Sequence, residues 1–398
     1  MALGLPKNNQ PLVLVMCNAL DDATRLQRQI TTDSPAASRK VFNMCLALKL
    51  AGVRAYVLSL GRGRASGSGD CYRVKVCRVD RVLTVYAPFS HLRVWSELLS
   101  LFGHLKAVYR FASRPNKVIV FYNRQLAYLP SLYLASFLGY KCFLDLEDGE
   151  VESGKSLGVL SRFLVTQFEK HCRSGALLAC SALEPMTSIR PTLAYYGTAE
   201  SNCYELRLQS TAVTCLMPGT LTPSTGADTL AEAIRRLRDR QPAWCDLLTF
   251  EITGKGASLP LFQQLAATSG VPRVHVHGRT TDNRYREILN ICDVGLALKP
   301  VGGHLADTTF PSKVIEFAGA GLLVLSSDIS DVRAVFGDGA RYLDRNDPES
   351  LIVSLAGIVR DRIAAQNTAK NGRQTVVNRF APFQMGKQLR AFFFESNG

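Results

Sequence analysis

No apolar run in the 398 residues reaches the eighteen or so positions that a membrane-spanning helix needs. The eleven cysteines form no C-x-x-C pair and no Cys/His spacing of a zinc site. Most stand beside apolar residues (Cys45, Cys142, Cys180, Cys215, Cys292), as reduced, buried thiols do. The six histidines, at 91, 104, 171, 275, 277 and 304, show no metal spacing either, so neither a metal nor a bound cofactor is expected. No G-x-G-x-x-G fingerprint and no G-x-x-x-x-G-K-[ST] loop occurs, which argues against a nicotinamide dehydrogenase and a P-loop nucleotidase. The first twenty residues lack the basic start, long apolar core and small-residue cleavage site of a secretory signal. A cytoplasmic protein is the expectation.

What the chain does have is positive charge, unevenly placed. Its net charge is +14. Residues 1–200 hold 25 Lys and Arg against 14 Asp and Glu, and residues 201–398 hold 22 against 19. A basic first half calls for an anionic partner. No nucleic-acid motif and no interleaving of aromatic with basic residues accompanies the charge, so nucleic acid is not expected. An anionic membrane surface or a phosphate-bearing substrate is favoured.

Short apolar runs alternate with helical patterns throughout. PLVLVMC (11–17), AYVLSLG (55–61), KVIVFYN (117–123), KCFLDLED (141–148) and ALLACS (176–181) read as strands. Helices are expected over 41–50, 91–112, 130–138 and 157–173. Residues 71–89 alternate well enough for one or two strands. The polar stretch 198–211 reads as a linker, after which the pattern restarts with strands at 211–219, 247–254, 274–278 and 293–299. The fold class is therefore α/β, two successive Rossmann-like parallel-sheet domains facing across a cleft. The boundaries read as 1–200 and 201–378, with a final helix in 379–398 packing back on the first domain.

Residues 304–328, HLADTTFPSKVIEFAGAGLLVLSSD, gather the most chemistry. The reading is a loop, a helix with Pro311 in its first turn and Thr309 or its polar neighbours as cap, a glycine turn, and a buried strand. Lys313 and Glu316 are the only charges in that helix and share one side. A helix start of this kind suits an anion, with Lys313 taking phosphate and Glu316 taking sugar hydroxyls. Two strand ends, Gly219 with Thr220 and Gly254 with Lys255, are placed to bring backbone N–H groups to a phosphate. In the first half, LDLEDGE (144–150) ends a strand in carboxylates, with Asp145 and Glu147 on one face. Arg39 and Lys40 stand near a helix N-terminus, where a bound anion would compensate the dipole. The 91–112 helix is apolar over more than one stripe, which fits core packing or an interfacial helix.

Taken together, the second-half motifs resemble the nucleotide-sugar-binding half of GT-B glycosyltransferases, close to family four (group 1). The order that carries the likeness is Gly-x-Leu-x-Pro (219–223), Thr-Gly-Lys-Gly (253–256), VHVHG (274–278), YREILNICDVGLAL (285–298) and PSKVIEFAGAGLLVLSSD (311–328). In the first half SRKVFNMCLALKLAGVRAYVLSLG (38–61) is similar to the family's opening loop and helix. The resemblance implies a hexosyltransferase that moves a sugar from a nucleotide-sugar donor to a saccharide or lipid-linked acceptor, retaining by preference. It makes Glu316 the ribose ligand, with Gly219, Thr220, Gly254, Lys255, His277, Asp307, Thr309, Ser312 and Lys313 as donor contacts. Thr308 stands where the first of the family's two signature glutamates is expected, with Asp307 beside it. Thr220 and Thr225 occupy the positions of the family's usual arginine and lysine. Where the family often has a catalytic-site histidine, Glu147 or Asp148 stands instead, acting as base or orienting the acceptor. Arg39 and Lys40 fall on the acceptor or phosphate side. A degenerate binding protein and another GT-B enzyme, such as a nucleotide-sugar epimerase, are the rival readings.

Overall fold

The computed structural model describes residues 10–67, 69–147, 158–200, 207–302 and 308–395. The chain divides into two compact units, Met1–Gly197 with Pro382–Gly398, and Thr198–Ala381.

The first unit is built on an eight-stranded sheet. Its strands are β1 (Leu12–Cys17), β2 (Arg54–Ser59), β4 (Lys75–Val79), β5 (Val82–Tyr86), β7 (Lys117–Tyr122), β8 (Lys141–Leu146), β9 (Gly175–Leu178) and β10 (Thr192–Ala194). β3 (Cys71–Tyr72) and β6 (Phe89–Ser90) form a separate antiparallel pair. The order across the main sheet is β10-β9-β8-β7-β1-β2-β5-β4. β1 is buried along its whole length, as its unbroken LVLVMC run predicts for a strand covered on both faces. All pairings are parallel except β4 with β5. Those two are joined through Asp80 and Arg81, both at positive φ (45° and 66°), the two-residue hairpin geometry whose twist matches its strands. The alternation over 71–89 thus becomes four short strands.

After β1 and a short helix, Asp22–Gln27, the helix leading into β2 is longer than its apolar periodicity implies and runs Pro35–Leu50. Ser34 caps it, accepting from the Ala37 N–H at 3.3 Å, and Pro35 fills the first turn. The last helix, Pro382–Phe394, packs against it. Gly386 makes this close approach possible, because a Cβ there would lie 2.0 Å from the Ala47 carbonyl oxygen. The 91–112 helix is two helices, Arg93–Phe102 and Leu105–Arg110, divided at Gly103.

The second unit carries a six-stranded, wholly parallel sheet: β11 (Val213–Thr220), β12 (Leu248–Lys255), β13 (Arg273–Gly278), β14 (Val294–Ala297), β15 (Leu323–Ser326) and β16 (Arg341–Tyr342). Its order is β13-β12-β11-β14-β15-β16. The connections run one way from β11 to β13 and the other way from β14 to β16. The loops at the carboxyl ends of β11 and β14 therefore part, and that is where open α/β sheets take ligands. Phe250, Ile252 and Phe262 are fully buried in the core with Leu230, Ile234 and Leu237 of the helix Ala227–Arg240.

Candidate functional site

In the second unit the predicted donor residues converge on the carboxyl ends of β11 and β12. Gly219 pairs with Gly254, and Thr220 with Lys255. The two strands close tightly here, since a Cβ on Gly254 would fall 1.7 Å from the Gly219 carbonyl oxygen, and the residue sits at φ +126°. Only glycine fits both the space and the backbone. Lys255 and Thr220 are exposed at this edge. From the other side Lys313 reaches in. Its Cε and Nζ lie 2.9 and 3.2 Å from where a Gly219 Cβ would stand. Glycine at 219 thus leaves the space that the lysine head occupies.

Lys313 opens the helix Lys313–Gly319, which starts two residues later than Pro311 suggests. Val314 and Ile315 donate to the carbonyls of Pro311 and Ser312, so the first turn closes on backbone groups. Ser312 is the residue before the helix and makes no side-chain cap, so neither it nor Thr309 caps the helix. Glu316 lies one turn on. Its Oε2 accepts from the Tyr285 hydroxyl at 3.0 Å, and the Tyr285 ring lies 5.7 Å from Lys313 Nζ. Tyr285 therefore touches both charged residues of the segment. It is buried, on the helix Asp282–Ile291, whose start Thr281 caps. In the sequence this tyrosine stands out only as part of the segment YREILNICDVGLAL (285–298). Its signal was the helix period, which turns Tyr285, Ile288 and Leu289 to one buried side.

Asn346 was not anticipated either. Its side-chain amide donates to the carbonyls of Leu298 (3.3 Å) and Lys299 (2.8 Å) and to Ser327 Oγ (3.0 Å), tying together the ends of β14 and β15. Of the threonines that the family resemblance singles out, Thr225 has a structural role. Thr225 closes a capping box with Thr222 and also donates to the Thr220 carbonyl at 2.7 Å. Thr308 is buried. His277 on β13 pairs with the buried carboxylate of Glu251 at 2.5 Å, which His275 also contacts at 2.8 Å. Asp307, like His304, lies outside the described residues.

The first unit holds a second cluster, at the carboxyl end of β8. Lys40, buried on the helix Pro35–Leu50, is ion-paired with Glu147, lies 3.9 Å from Asp145 Oδ1 and sits 4.9 Å above the Tyr195 ring. Asp145 and Glu147 are two apart on an extended segment, so their side chains share a face and meet the same cation. Asn123, at the end of β7, holds the segment. Its Oδ1 accepts from the Glu147 N–H at 2.9 Å, while its own N–H donates to the Asp145 carbonyl at 2.7 Å. Among the described residues, neither Asp145 carboxylate oxygen meets the geometry of a hydrogen bond, and the Tyr195 hydroxyl has no partner. Burial pushes the Asp145 carboxyl well above the usual carboxylate range. Lys40 opposes this less strongly, and neighbouring Glu147 adds to it. The surroundings thus favour the protonated form of Asp145 beside the Lys40–Glu147 ion pair. Arg39 is half-buried on the same helix. Asp148 lies outside the described residues. The longer helix also moves Lys40 from just before the expected start into the second turn, facing carboxylates of its own chain.

Comparison with known proteins follows the same division. Residues 212–361 match the family model described as glycosyl transferases group 1. No curated protein matches the chain. Among solved structures, a glycosyltransferase from Rickettsia africae superposes with a TM-score of 0.66 at 13% identity, covering 98% of this chain and 100% of that one. HepE of Anabaena, solved with UDP and glucose, gives 0.65 at 13% identity over 95% and 98%. Sucrose-phosphate synthase of Thermosynechococcus elongatus gives 0.64 at 14% over 96% and 99%. At these identities the structural likeness is one of fold, and that fold is GT-B.

Proposed function

We propose that the chain is a glycosyltransferase that transfers a sugar from a nucleotide-sugar donor to a saccharide or lipid-linked acceptor, a reading supported by the group 1 match over residues 212–361 and by the GT-B fold. The observation that carries the reading is the convergence of Lys313 on Gly219, beside Lys255 and one helical turn from Glu316. In this proposal Lys313 and Lys255 hold the diphosphate, stabilising the charge that grows on it as the sugar departs. Glu316, oriented by Tyr285, binds the ribose. Gly219, Gly254 and Thr220 present backbone groups, and Thr309, Ser312, Asp307 and His277 complete the donor side. Solved HepE structures that hold UDP or UDP-glucose support a nucleotide-sugar donor.

On the acceptor side, Glu147 or Asp148 receives or orients the acceptor hydroxyl, with Arg39 and Lys40 beside it. The reaction runs with retention, the departing phosphate helping to deprotonate the acceptor. Surface polysaccharide or glycolipid assembly is the setting, in the cytoplasm and peripheral to the membrane.

The test is hydrolysis and transfer by the purified protein with a panel of nucleotide sugars. Turnover with one donor is expected, reduced roughly a hundredfold in Lys313→Ala. Donor binding without turnover would make the chain a degenerate binding protein, in keeping with Thr220, Thr225 and Thr308. A rearranged sugar nucleotide formed without acceptor would make it an epimerase.

A further inference from the structure

The helix Arg93–Phe102 is turned inside out. Four of its large apolar side chains face water: Val94 is 72% exposed, Trp95 58%, Leu98 44% and Phe102 61%, while Leu99 and Leu101 are half-buried. What it buries are two small polar residues, Ser96 and Ser100, one turn apart. Ser100 Oγ spends its hydrogen on the Ser96 carbonyl at 2.6 Å. A surface helix that serves only its own core does the opposite. The inner face has a reason to be small. Just beyond it, a Cβ on Gly103 would lie 2.7 Å from the Ala87 Cβ. Among the described residues nothing buries Val94, Trp95 and Phe102 of the outer face, so the stabilisation that burial brings, about 1.5–3 kcal/mol for a large apolar side chain, is not gained.

The surroundings say what covers them. Arg93, Lys106 and Arg110 are exposed on this helix and the next. The one acid on the helix, Glu97, is ion-paired with Arg62. The wider first half carries the chain's excess of Lys and Arg. A ten-residue helix offers a strip about 15 Å long and one helix wide. That falls well short of the roughly 800 Å² per partner of a stable protein interface. It is enough for an amphipathic helix lying among lipid headgroups, where tryptophan and flanking cations are favoured. No helix of the described residues is long and apolar enough to cross a membrane, so attachment of this helix would be at the surface.

We propose that the helix Arg93–Phe102 docks the chain on a bilayer that contains anionic lipid. Trp95 and Phe102 enter the boundary between headgroups and acyl chains, and Arg93, Lys106 and Arg110 meet lipid phosphates. This rests on the peripheral-membrane part of the function proposed above and not on the transfer chemistry, so failure to bind lipid and failure to turn over a donor are separate results.

The chain has two tryptophans, so the full-length Trp244→Phe variant reports on Trp95 alone. It is mixed with vesicles of phosphatidylcholine, or of phosphatidylcholine with phosphatidylglycerol, and followed by flotation and fluorescence. The protein is expected to float with the anionic vesicles and its Trp95 emission to shift to the blue. Both effects should weaken with salt. Adding Val94→Ser, Leu98→Ser and Phe102→Ser should cut binding at least tenfold. If that variant does not fold, quenching of Trp95 by brominated lipid in the parent protein gives the answer. An unshifted Trp95 with no flotation overturns the proposal. So does undiminished flotation of the folded serine variant. Concentration-dependent burial of Trp95 without vesicles would also overturn it, assigning the face to a second copy of the chain.

Discussion

At the scale of single residues, the proposed donor site depends on a neutral group that carries no charge into it. Tyr285 donates to Glu316 at 3.0 Å and presents its ring to Lys313 at 5.7 Å. The hydroxyl helps to fix where the carboxylate points, and the ring face attracts the ammonium. Tyr285→Phe removes the first effect and leaves the second. A hydrogen bond to a charged acceptor contributes about 1.5–3 kcal/mol. The expected outcome is a rise in donor KM of roughly tenfold with kcat little changed, read from initial rates at varied donor. A loss confined to kcat would place Tyr285 in the chemical step and refute its role as the orienter of a ribose ligand. Glu316 and Lys313 were legible in the sequence because charges are rare in an apolar helix. Tyr285 was not, because a buried tyrosine at helical spacing looks like any core aromatic until the distance to Glu316 is known. Asn123 and Asn346 escaped notice for a related reason. Each works through backbone groups of distant strands, and no local pattern records that.

At the scale of elements, strand ends matter more than the strands. The alternation of strands and helices, and hence both sheets, could be read from runs of apolar residues. Boundaries near charged or glycine-rich ends could not. The helix expected from Pro311 begins at Lys313, because its first turn is closed by backbone bonds rather than by a capping side chain. The helix expected from 41 begins at Pro35, because Ser34 and Pro35 extend it through a stretch with little apolar content. The inverted helix Arg93–Phe102 is the sharpest case, since periodicity fixed the element but not which of its sides faces inward. The ends of β11 and β12 allow a test. A Cβ on Gly254 would meet the Gly219 carbonyl at 1.7 Å on a backbone at φ +126°. Gly254→Ala should therefore force the two strand ends apart and destabilise the second unit by about 2–4 kcal/mol. Thermal unfolding in the absence of ligand measures it. If the variant keeps its unfolding midpoint, the contact between the strand ends is not a fixed feature of the fold.

At the scale of the whole molecule, each unit buries ionisable groups whose protonation must differ between folded and unfolded chains, and stability must then follow pH. Two groups in the first unit act in opposite directions. Asp145 is held well above the ordinary carboxylate range by burial. The folded chain then keeps a proton that the unfolded chain gives up near pH 4. Its stabilising effect is complete below that pH and is lost as pH rises through the folded value. His104 is fully buried, with Nε2 2.9 Å from the Ser59 carbonyl, and burial pushes its imidazole down from 6.5 to about 4. Its contribution is complete above about pH 6.5 and is lost as pH falls through about 4. Between pH 4 and 6.5, therefore, His104 makes stability rise with pH while Asp145 makes it fall. Asp145→Asn keeps the size and removes the titration. Relative to the parent, the variant's denaturation midpoint should improve as the pH is raised above 4, with the gain smallest at pH 4. His104→Asn should do the reverse, closing on the parent as the pH is lowered from 6.5 to 4. A gain in Asp145→Asn that is the same at every pH would mean that Asp145 is ionised in the folded chain. Lys40 would then be shared between two carboxylates rather than paired with Glu147 alone, and Glu147 would have less claim to be the carboxylate that meets the acceptor.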